Sequence, residues 1–305
     1  MFFIGIVLLL VSADIFVKIC SKLSQALKIS PLVIGTTIVA IGTSLPELIV
    51  SLLACVRSDF GLAVGNILGS NIINVFLVLA VGIILGNINI GTSKTQRNAL
   101  YLLVVTLLFV LLTTSLRMPV FSGLIMIALA IGFSFFEIHL GILGRNHEDK
   151  VYANGRKKYK FDLKMAFLLL FSLLGVVSGG IMAVTSIEKI AVLTGYSTTI
   201  LGLSITAIAT SMPELLTTIF SRKKDEGKIA IGNILGSNIY NLLLVGGIIS
   251  LFSKPVTITP FEWTMFFLAT AFLVSLIFLY RGRKVPKKIG IVLLLFFVVY
   301  LLTLK

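Results

Sequence analysis

Residues 35–47 read GTTIVAIGTSLPE and residues 202–214 read GLSITAIATSMPE, with identical residues at eight of thirteen positions. Residues 65–74 read GNILGSNIIN and residues 232–241 read GNILGSNIYN, with nine of ten identical. The two pairs of segments share one offset, 167 residues. Because two separate blocks repeat at the same offset, the sequence predicts that the chain is an internal duplication.

The composition around these blocks is typical of a membrane protein. Of the 305 residues, 57% are hydrophobic and 12% are charged, and the mean hydropathy is +1.09. Half the usual charged fraction cannot cover a soluble surface of this size. The composition therefore excludes a soluble enzyme, a disordered chain and a disulfide scaffold. The two cysteines, Cys20 and Cys55, lie in or beside apolar stretches and indicate no disulfide framework.

Apolar runs between charged and turn-forming clusters predict ten membrane-spanning helices. They lie near residues 2–18, 31–56, 62–86, 99–116, 118–143, 165–187, 198–220, 229–251, 260–280 and 288–304. With this arrangement, 21 basic residues fall on the side of the odd-numbered loops and five on the other side. The positive-inside rule then places the odd-numbered loops in the cytoplasm and both termini outside the cell. The net charge of +14 thus reflects orientation and not a nucleic-acid partner.

The longest polar stretch, residues 145–164, divides the chain into two halves of five spans. We expect residues 1–144 to form the first half, residues 145–164 a solvated cytoplasmic linker and residues 165–305 the second half. Binding of the linker to anionic lipid headgroups is an alternative. Because five is an odd number, the second copy enters the membrane in the opposite orientation. The predicted fold is therefore an all-α polytopic membrane protein built from two inverted five-helix repeats, a design that binds substrates near the middle of the membrane.

Two glutamates, Glu47 and Glu214, lie about midway along apolar spans, where a carboxylate is costly enough to indicate a function. Each follows a proline, which removes one helical hydrogen bond and frees carbonyl groups in the preceding turn. The segments Ser44–Glu47 and Ser211–Glu214 also match the capping box, a signature of helix starts. We therefore expect helices 2 and 7 to be broken at these points.

Oxygen donors cluster around the two glutamates in the sequence. The hydroxyl donors are Thr43, Ser44, Ser70, Thr210, Ser211 and Ser237, and the amide donors are Asn66, Asn74, Asn233 and Asn241. Oxygen-only coordination suits calcium or sodium and not zinc or copper. The alternatives are a protonated glutamate that caps its helix and a glutamate that carries protons. Single hydroxyls in membrane helices often bond only their own backbone.

These residues carry a resemblance. G-T-S-L-P-E with G-N-I-L-G-S-N, in closely matching copies in both halves, resembles the α-repeats of the cation/calcium exchanger superfamily, and most of all those of prokaryotic sodium/calcium exchangers. The resemblance covers nearly the whole chain. It implies an antiporter that exchanges calcium for sodium by alternating access, functions as a monomer and needs no cofactor. The cation ligands that it implies are Glu47, Thr43, Ser44, Ser70, Asn74 and the Ala40 carbonyl in the first repeat, and Glu214, Thr210, Ser211, Ser237, Asn241 and the Ala207 carbonyl in the second.

The chain departs from the family pattern at two positions in the second repeat. Some relatives carry Asp where Asn241 stands, which puts a proton role at that position in doubt. Ala209 replaces the glycine that the first repeat has at Gly42, and we expect it to restrict the backbone there. The linker is also too short for a large regulatory domain.

Four other acidic residues are weaker candidates for the site. We expect Asp14 to be a helix-end or packing group and Glu137 to have a hydrogen-bonded structural role. Glu188 and Glu262 lie near span ends, where we expect them to face water.

Three functions remain open from the residues alone. The first is calcium exchange coupled to sodium, and the second is calcium exchange coupled to protons within the same fold. The third is a channel or membrane enzyme, against which the sequence offers no H-E-x-x-H or G-x-S-x-G motif.

Overall fold

A computed structural model shows the chain as a bundle of α-helices. It describes residues 2–86, 88, 90, 92–114, 119–143, 159, 161–192, 200, 202–223, 227–252 and 259–304. Most of the predicted linker, residues 145–164, lies outside this set. The helix that follows the linker already begins at Leu163.

The helices are numbered in chain order. The first half contributes α1 (Phe2–Leu27), α2 (Pro31–Val56), α3 (Phe60–Leu85), α4 (Ser93–Thr114) and α5 (Pro119–Leu143). The second half contributes α6 (Leu163–Val192), α7 (Leu203–Thr210 followed by Met212–Lys223), α8 (Gly227–Ser250), α9 (Pro260–Leu279) and α10 (Lys287–Thr303).

Eight helices in the described part of the chain are long and apolar enough to cross a membrane, namely α1 to α6, α8 and α9. The two parts of α7 meet at a bend of 43° and provide a ninth crossing when they are counted as one span. α10 has 17 residues, which corresponds to a length of about 26 Å. The prediction of an all-α polytopic membrane fold is confirmed.

Both helices that carry a glutamate are interrupted at the serine of the motif. Ser44 in α2 has φ −84° and ψ 3°, and Ser211 in α7 has φ −79° and ψ 2°. In α2 the amides of Ser44 and Leu48 still donate to the carbonyls of Ala40 and Ser44, at 3.0 and 3.1 Å. The helix is therefore interrupted at a single residue without being unwound.

The predicted capping box at Ser44 is wrong. An N-cap serine reaches the helix start from an extended backbone, whereas Ser44 has nearly helical angles and makes no capping bond. Its hydroxyl donates instead to Glu214 Oε1, at 3.4 Å. The second predicted box does not form either, because Ser211 Oγ has no hydrogen-bond partner among the described residues.

Four wide turns with π-helical hydrogen bonding interrupt the central helices. They cover Gly35–Val39, Asn74–Leu79, Gly202–Thr206 and Asn241–Val245. Their starting residues form two pairs that differ by the same 167 residues as the sequence blocks. Single π turns are rare overall, but they occur often at functional sites. Here two of them lie within the repeated blocks 35–47 and 202–214, and the other two begin at the last residue of the blocks 65–74 and 232–241.

Glycines allow the two halves to meet backbone to backbone. A Cβ atom on Gly69 of α3 would lie 2.7 Å from both the Leu203 carbonyl oxygen and the Ala207 Cβ of α7. At the equivalent glycine of α8, Gly236, a Cβ would lie 2.7 Å from the carbonyl of Thr36 and 2.5 Å from the Cβ of Ala40, both in α2. α3 thus crosses α7 in the way that α8 crosses α2. Small residues permit such close approach between membrane helices.

The remaining helices surround this core. α1 packs along α6, where a Cβ on Gly179 would lie 2.7 Å from the Leu9 amide nitrogen. Large hydrophobic side chains are exposed along α1, α4, α5, α6 and α10. A protein in water rarely exposes so much apolar surface, and these faces suit contact with lipid.

Candidate cation-binding site

Glu47 of α2 and Glu214 of α7 lie close together in the interior, and both side chains are completely buried. They are near enough for their charges to interact. Each carboxylate is surrounded by hydroxyl groups, including several from the opposite half of the chain. Thr210 and Ser211 lie near Glu47, and Thr43, Ser44 and Ser237 lie near Glu214.

Two threonine–asparagine hydrogen bonds connect the halves next to the glutamates. Thr43 Oγ1 donates to Asn233 Oδ1 at 3.0 Å. Thr210 Oγ1 donates to Asn66 Oδ1 at 3.1 Å. The two bonds are equivalent under the 167-residue offset, so the structure places the duplicated motifs against each other.

Two serines complete the same pattern. Ser70 Oγ lies 3.3 Å from Thr210 Oγ1, and Ser237 Oγ lies 3.4 Å from Thr43 Oγ1. All four side chains are completely buried. Each hydroxyl pair therefore lies beside the glutamates and spans the interface between the halves.

Several buried polar atoms at this site have no hydrogen-bond partner among the described residues. They are both carboxylate oxygens of Glu47, Oε2 of Glu214, Oγ of Ser211, Oδ1 of Asn74, and both amide atoms of Asn241. Buried polar groups are nearly always paired, and leaving one unpaired is costly. Carboxylate, hydroxyl and amide oxygens in this state form a donor set suited to a hard cation.

The Ala40 and Ala207 carbonyls, the two backbone ligands that the sequence predicts, already accept hydrogen bonds. Ala40 O accepts from the amide of Ser44 at 3.0 Å and from the hydroxyl of Thr43 at 3.4 Å. Ala207 O accepts from the corresponding groups of its own repeat, at 3.0 and 3.3 Å. Their role as cation ligands therefore stays a prediction.

Asn66 connects several parts of the site. Its Nδ2 donates to the Glu47 carbonyl at 3.3 Å and to Ser51 Oγ at 2.9 Å, while its Oδ1 accepts from Thr210. Sequence reasoning did not include Ser51. The only signal for it was its position four residues after Glu47, on the same face of the helix.

The amide of Asn238 also joins the site, although the sequence did not single it out. Its Oδ1 accepts from Asn74 Nδ2 at 3.2 Å, across the two halves. Membership of the repeated GNILGSN block was the available signal.

The departure at Ala209 has a packing explanation. A Cβ on Gly42 would lie 2.6 Å from Leu173 of α6 and 3.3 Å from Phe16 of α1. Ala209 is buried with its Cβ in place. In the first repeat, Leu173 of α6 and Phe16 of α1 thus pack against the position that a Cβ would take.

One residue breaks the correspondence within the ten-residue block, since Tyr240 stands where the first half has Ile73. The Tyr240 hydroxyl lies 2.7 Å from Ser134 Oγ on α5. Its ring packs edge-on against Phe133, with centroids 5.9 Å apart. Ile73 is buried and its side chain has no polar group. The hydrogen bond that Tyr240 forms with α5 therefore has no equivalent at Ile73 in the first half.

The other acidic residues lie outside this cluster. Glu137 is completely buried and pairs with Arg97 of α4, in agreement with a structural role. Asp14 pairs with Lys18 at 2.6 Å near the surface. The prediction that Glu262 faces water is wrong, because it is buried and forms a capping box with Thr259. The side chain of Glu188 lies outside the described residues.

An internally duplicated helical membrane protein with two carboxylates buried between its halves belongs to the class of ion transporters that place their cargo inside the membrane. The chain belongs to the sodium/calcium exchanger protein family, which residues 1–138 and 164–305 match.

Relatives share nearly the full length of the chain. Inner membrane protein YrbG of Escherichia coli is 33% identical, over 98% of this chain and 94% of its own length. The sodium/calcium exchanger MaX1 of Methanosarcina acetivorans is 29% identical, over 99% and 96% of the two chains.

A solved structure agrees with the architecture. The sodium-calcium exchanger NCX_Mj, soaked with 2.5 mM Na⁺ and 1 mM Sr²⁺, is similar with a TM-score of 0.81 and 27% identity, and the match covers 100% of this chain and 97% of that one. The family assignment thus rests on sequence and on fold over the same residues.

Proposed function

We propose that this chain is a secondary active antiporter, and not an enzyme, that exchanges calcium for sodium across the membrane by alternating access. The observation that carries the proposal is the state of Glu47, whose two carboxylate oxygens are completely buried without a hydrogen-bond partner among the described residues. Glu214 lies next to it with one oxygen in the same state. A cation between the two carboxylates would balance both charges.

The ligands we propose are those that surround the two glutamates. They are Glu47, Thr43, Ser44, Ser70, Asn74 and the Ala40 carbonyl, with Glu214, Thr210, Ser211, Ser237, Asn241 and the Ala207 carbonyl. Two carboxylates supply two negative charges, which match one calcium ion or a small group of sodium ions. Hard cations favour this all-oxygen set.

We further propose that α7 and α10 also cross the membrane, which brings the number of crossings to ten. Both termini then lie outside the cell, and residues 145–164 form a cytoplasmic linker between the inverted halves, residues 1–144 and 165–305. The distribution of basic residues supports this orientation. The site is made entirely within one chain, which supports function as a monomer.

Transport by the purified protein in proteoliposomes tests the proposal. An outward sodium gradient, with sodium inside the vesicles, should drive uptake of radioactive calcium, whereas an inward sodium gradient should not. Potassium should not replace sodium. Glu47→Gln and Glu214→Gln keep the side-chain shape and remove the charge. Loss of a charged ligand worth about 3 kcal/mol should lower uptake about a hundredfold.

Glu262→Gln is the matched control. Glu262 is also a buried glutamate, and glutamine retains the capping-box bond, so its uptake should equal that of the unmodified protein. Full uptake in either site variant would contradict the site. Calcium flux that ignores sodium and collapses with the pH gradient would assign the coupling to protons.

A further inference from the structure

A row of hydroxyl groups continues from Glu214 along one face of α7. Thr217, Thr218 and Ser221 follow the glutamate by three, four and seven residues, which places all of them on one side of the helix. All three side chains are completely buried. The row extends about 10 Å along the helix axis.

None of these three hydroxyls has a hydrogen-bond partner among the described residues. Several buried hydroxyls elsewhere in the bundle donate to a carbonyl of their own helix. Thr37, Thr106 and Ser250, for example, donate to the carbonyl four residues back at 2.6 to 2.8 Å. The three hydroxyls of α7 do not form this bond. Because buried polar groups are nearly always paired, each of them needs another partner.

The first half of the chain has no such row. The positions equivalent to Thr217, Thr218 and Ser221 are Val50, Ser51 and Ala54. Two of these side chains are apolar, and the hydroxyl of Ser51 accepts a bond from Asn66. The row of free hydroxyls is therefore specific to the second half.

The asparagine next to this row shows the same asymmetry. In the first half Asn66 Nδ2 donates to Ser51 Oγ at 2.9 Å. In the second half the equivalent atoms, Asn233 Nδ2 and Thr218 Oγ1, both have no partner in the described part of the molecule. With Oε2 of Glu214, five neighbouring buried polar groups are left available on this side.

The helix opposite the row, α3, packs closely against Thr218. Gly82 of α3 has no side chain, and a Cβ there would lie 2.9 Å from Thr218 Cγ2. The Ile88 side chain covers the same glycine, since its Cδ1 lies 2.5 Å from that Cβ position. The row is thus enclosed by α3 and by Ile88, an apolar residue that follows α3 in the chain.

We propose that, when the site is open to the cytoplasm, Thr217, Thr218 and Ser221 line a hydrated path along which cations move between Glu214 and the cytoplasmic end of α7. The path rests on the proposed function and on the orientation given with it. Hydroxyl oxygens replace part of the water shell of sodium or calcium, as oxygen ligands do in other cation sites. Along α7, which the structure describes as far as Lys223, no carboxylate follows Glu214, so a cation would pass along this part of the helix without being held.

Cysteine accessibility tests the path directly. Cys20 and Cys55 are free and buried, and replacing both with alanine gives a background for the single variants Thr217→Cys, Thr218→Cys and Ser221→Cys. Thr106→Cys is the control, because Thr106 is equally buried but bonds its own helix. A membrane-impermeant cationic methanethiosulfonate is applied to inside-out and right-side-out vesicles.

We expect the α7 cysteines to react about tenfold faster than Thr106→Cys, since exposure to water governs thiol reactivity. The reaction should occur in inside-out vesicles, and calcium should slow it. Labelling no faster than the control in either orientation, or labelling from the outside only, would overturn the path.

Hydroxyl removal provides a second measurement. In a dry site Thr218→Val would be neutral or stabilising, because it removes an unpaired buried hydroxyl at almost constant volume. On a cation path it should slow calcium exchange about tenfold, which is about 1.4 kcal/mol, with calcium binding by titration calorimetry unchanged. Thr106→Val should exchange normally. Normal exchange in the combined Thr217→Val, Thr218→Val and Ser221→Ala variant would contradict the proposal.

The unlabelled double-alanine background separates this proposal from the function it rests on. If the background exchanges calcium without any dependence on sodium, the proposed coupling fails while the labelling pattern stands. If it exchanges calcium for sodium but the α7 cysteines stay unlabelled, the path fails and the exchanger remains.

Discussion

The hydroxyl of Thr43 donates to the side-chain oxygen of Asn233 across the interface between the two halves, at 3.0 Å. Its counterpart, from Thr210 to Asn66, measures 3.1 Å. Each of these threonines lies beside the glutamate of the other half. A residue that is four positions before one glutamate along the chain thus acts next to the other glutamate in space.

Because Thr43 and Thr210 make equivalent contacts, we expect removal of either hydroxyl to have the same effect. Thr43→Val and Thr210→Val each remove one bond to an asparagine and one hydroxyl contact to a serine. We expect each variant to raise the calcium concentration for half-maximal exchange about tenfold, on the basis of about 1.5 kcal/mol for these bonds. The rate of calcium uptake as a function of calcium concentration measures this half-maximal concentration. A large effect in one variant with none in the other would contradict the equivalence of the two positions.

Glycine is required where the halves touch. Gly69→Ala and Gly236→Ala would each place a Cβ within 2.8 Å of backbone atoms or another Cβ. Overpacking of this kind costs about 1 to 3 kcal/mol, so we expect both variants to unfold at lower temperature in detergent. Gly132→Ala is the control, because no atom lies within 4 Å of its added Cβ and alanine favours a helix. A melting temperature for Gly236→Ala at or above that of the control would contradict the expected loss of stability.

The ion pair of Arg97 and Glu137 predicts a stability effect without an effect on the site. Arg97→Met leaves the carboxylate of Glu137 buried and unpaired, which should cost about 3 kcal/mol. The double variant with Glu137→Met removes both charges and should recover most of that loss. Thermal unfolding of the three proteins measures the coupling. Equal melting temperatures for the single and double variants would show that the pair is not coupled.

Asn241→Asp adds a third carboxylate to the site. Both amide atoms of Asn241 are buried without a partner in the described residues. Within the proposed site, a third carboxylate would increase the charge repulsion with Glu47 and Glu214, and binding a proton as the pH falls would relieve it. We expect calcium exchange by the variant to fall more steeply below neutral pH than exchange by the unmodified protein. Asn71→Asp is the comparison, because Asn71 is a buried amide that donates to the Ile67 carbonyl of its own helix. Identical pH profiles for Asn241→Asp and the unmodified protein would disprove the expectation.

The sequence predicted the helical membrane fold, the two interruptions and the buried glutamates because each has a local cause. Long apolar runs define the helices, and Pro46 and Pro213 remove backbone bonds at known places. The pairing of Thr43 with Asn233 could not be predicted, since the repeat shows which residues are equivalent but not which residues touch. The π turns depend on packing between α2, α3, α7 and α8. The capping boxes failed because Ser44 and Ser211 keep nearly helical backbone angles.

Tyr240 adds a bond that we expect to bias the two access states of the proposed antiporter. If the two inverted halves were identical, the inward-open and outward-open forms would be equal in energy. The bond between Tyr240 and Ser134 has no counterpart at Ile73, which has no polar group. A hydrogen bond worth about 1 kcal/mol that is kept in only one of the two forms would shift their balance about fivefold. We therefore expect this tyrosine to contribute to which side of the membrane an idle exchanger faces.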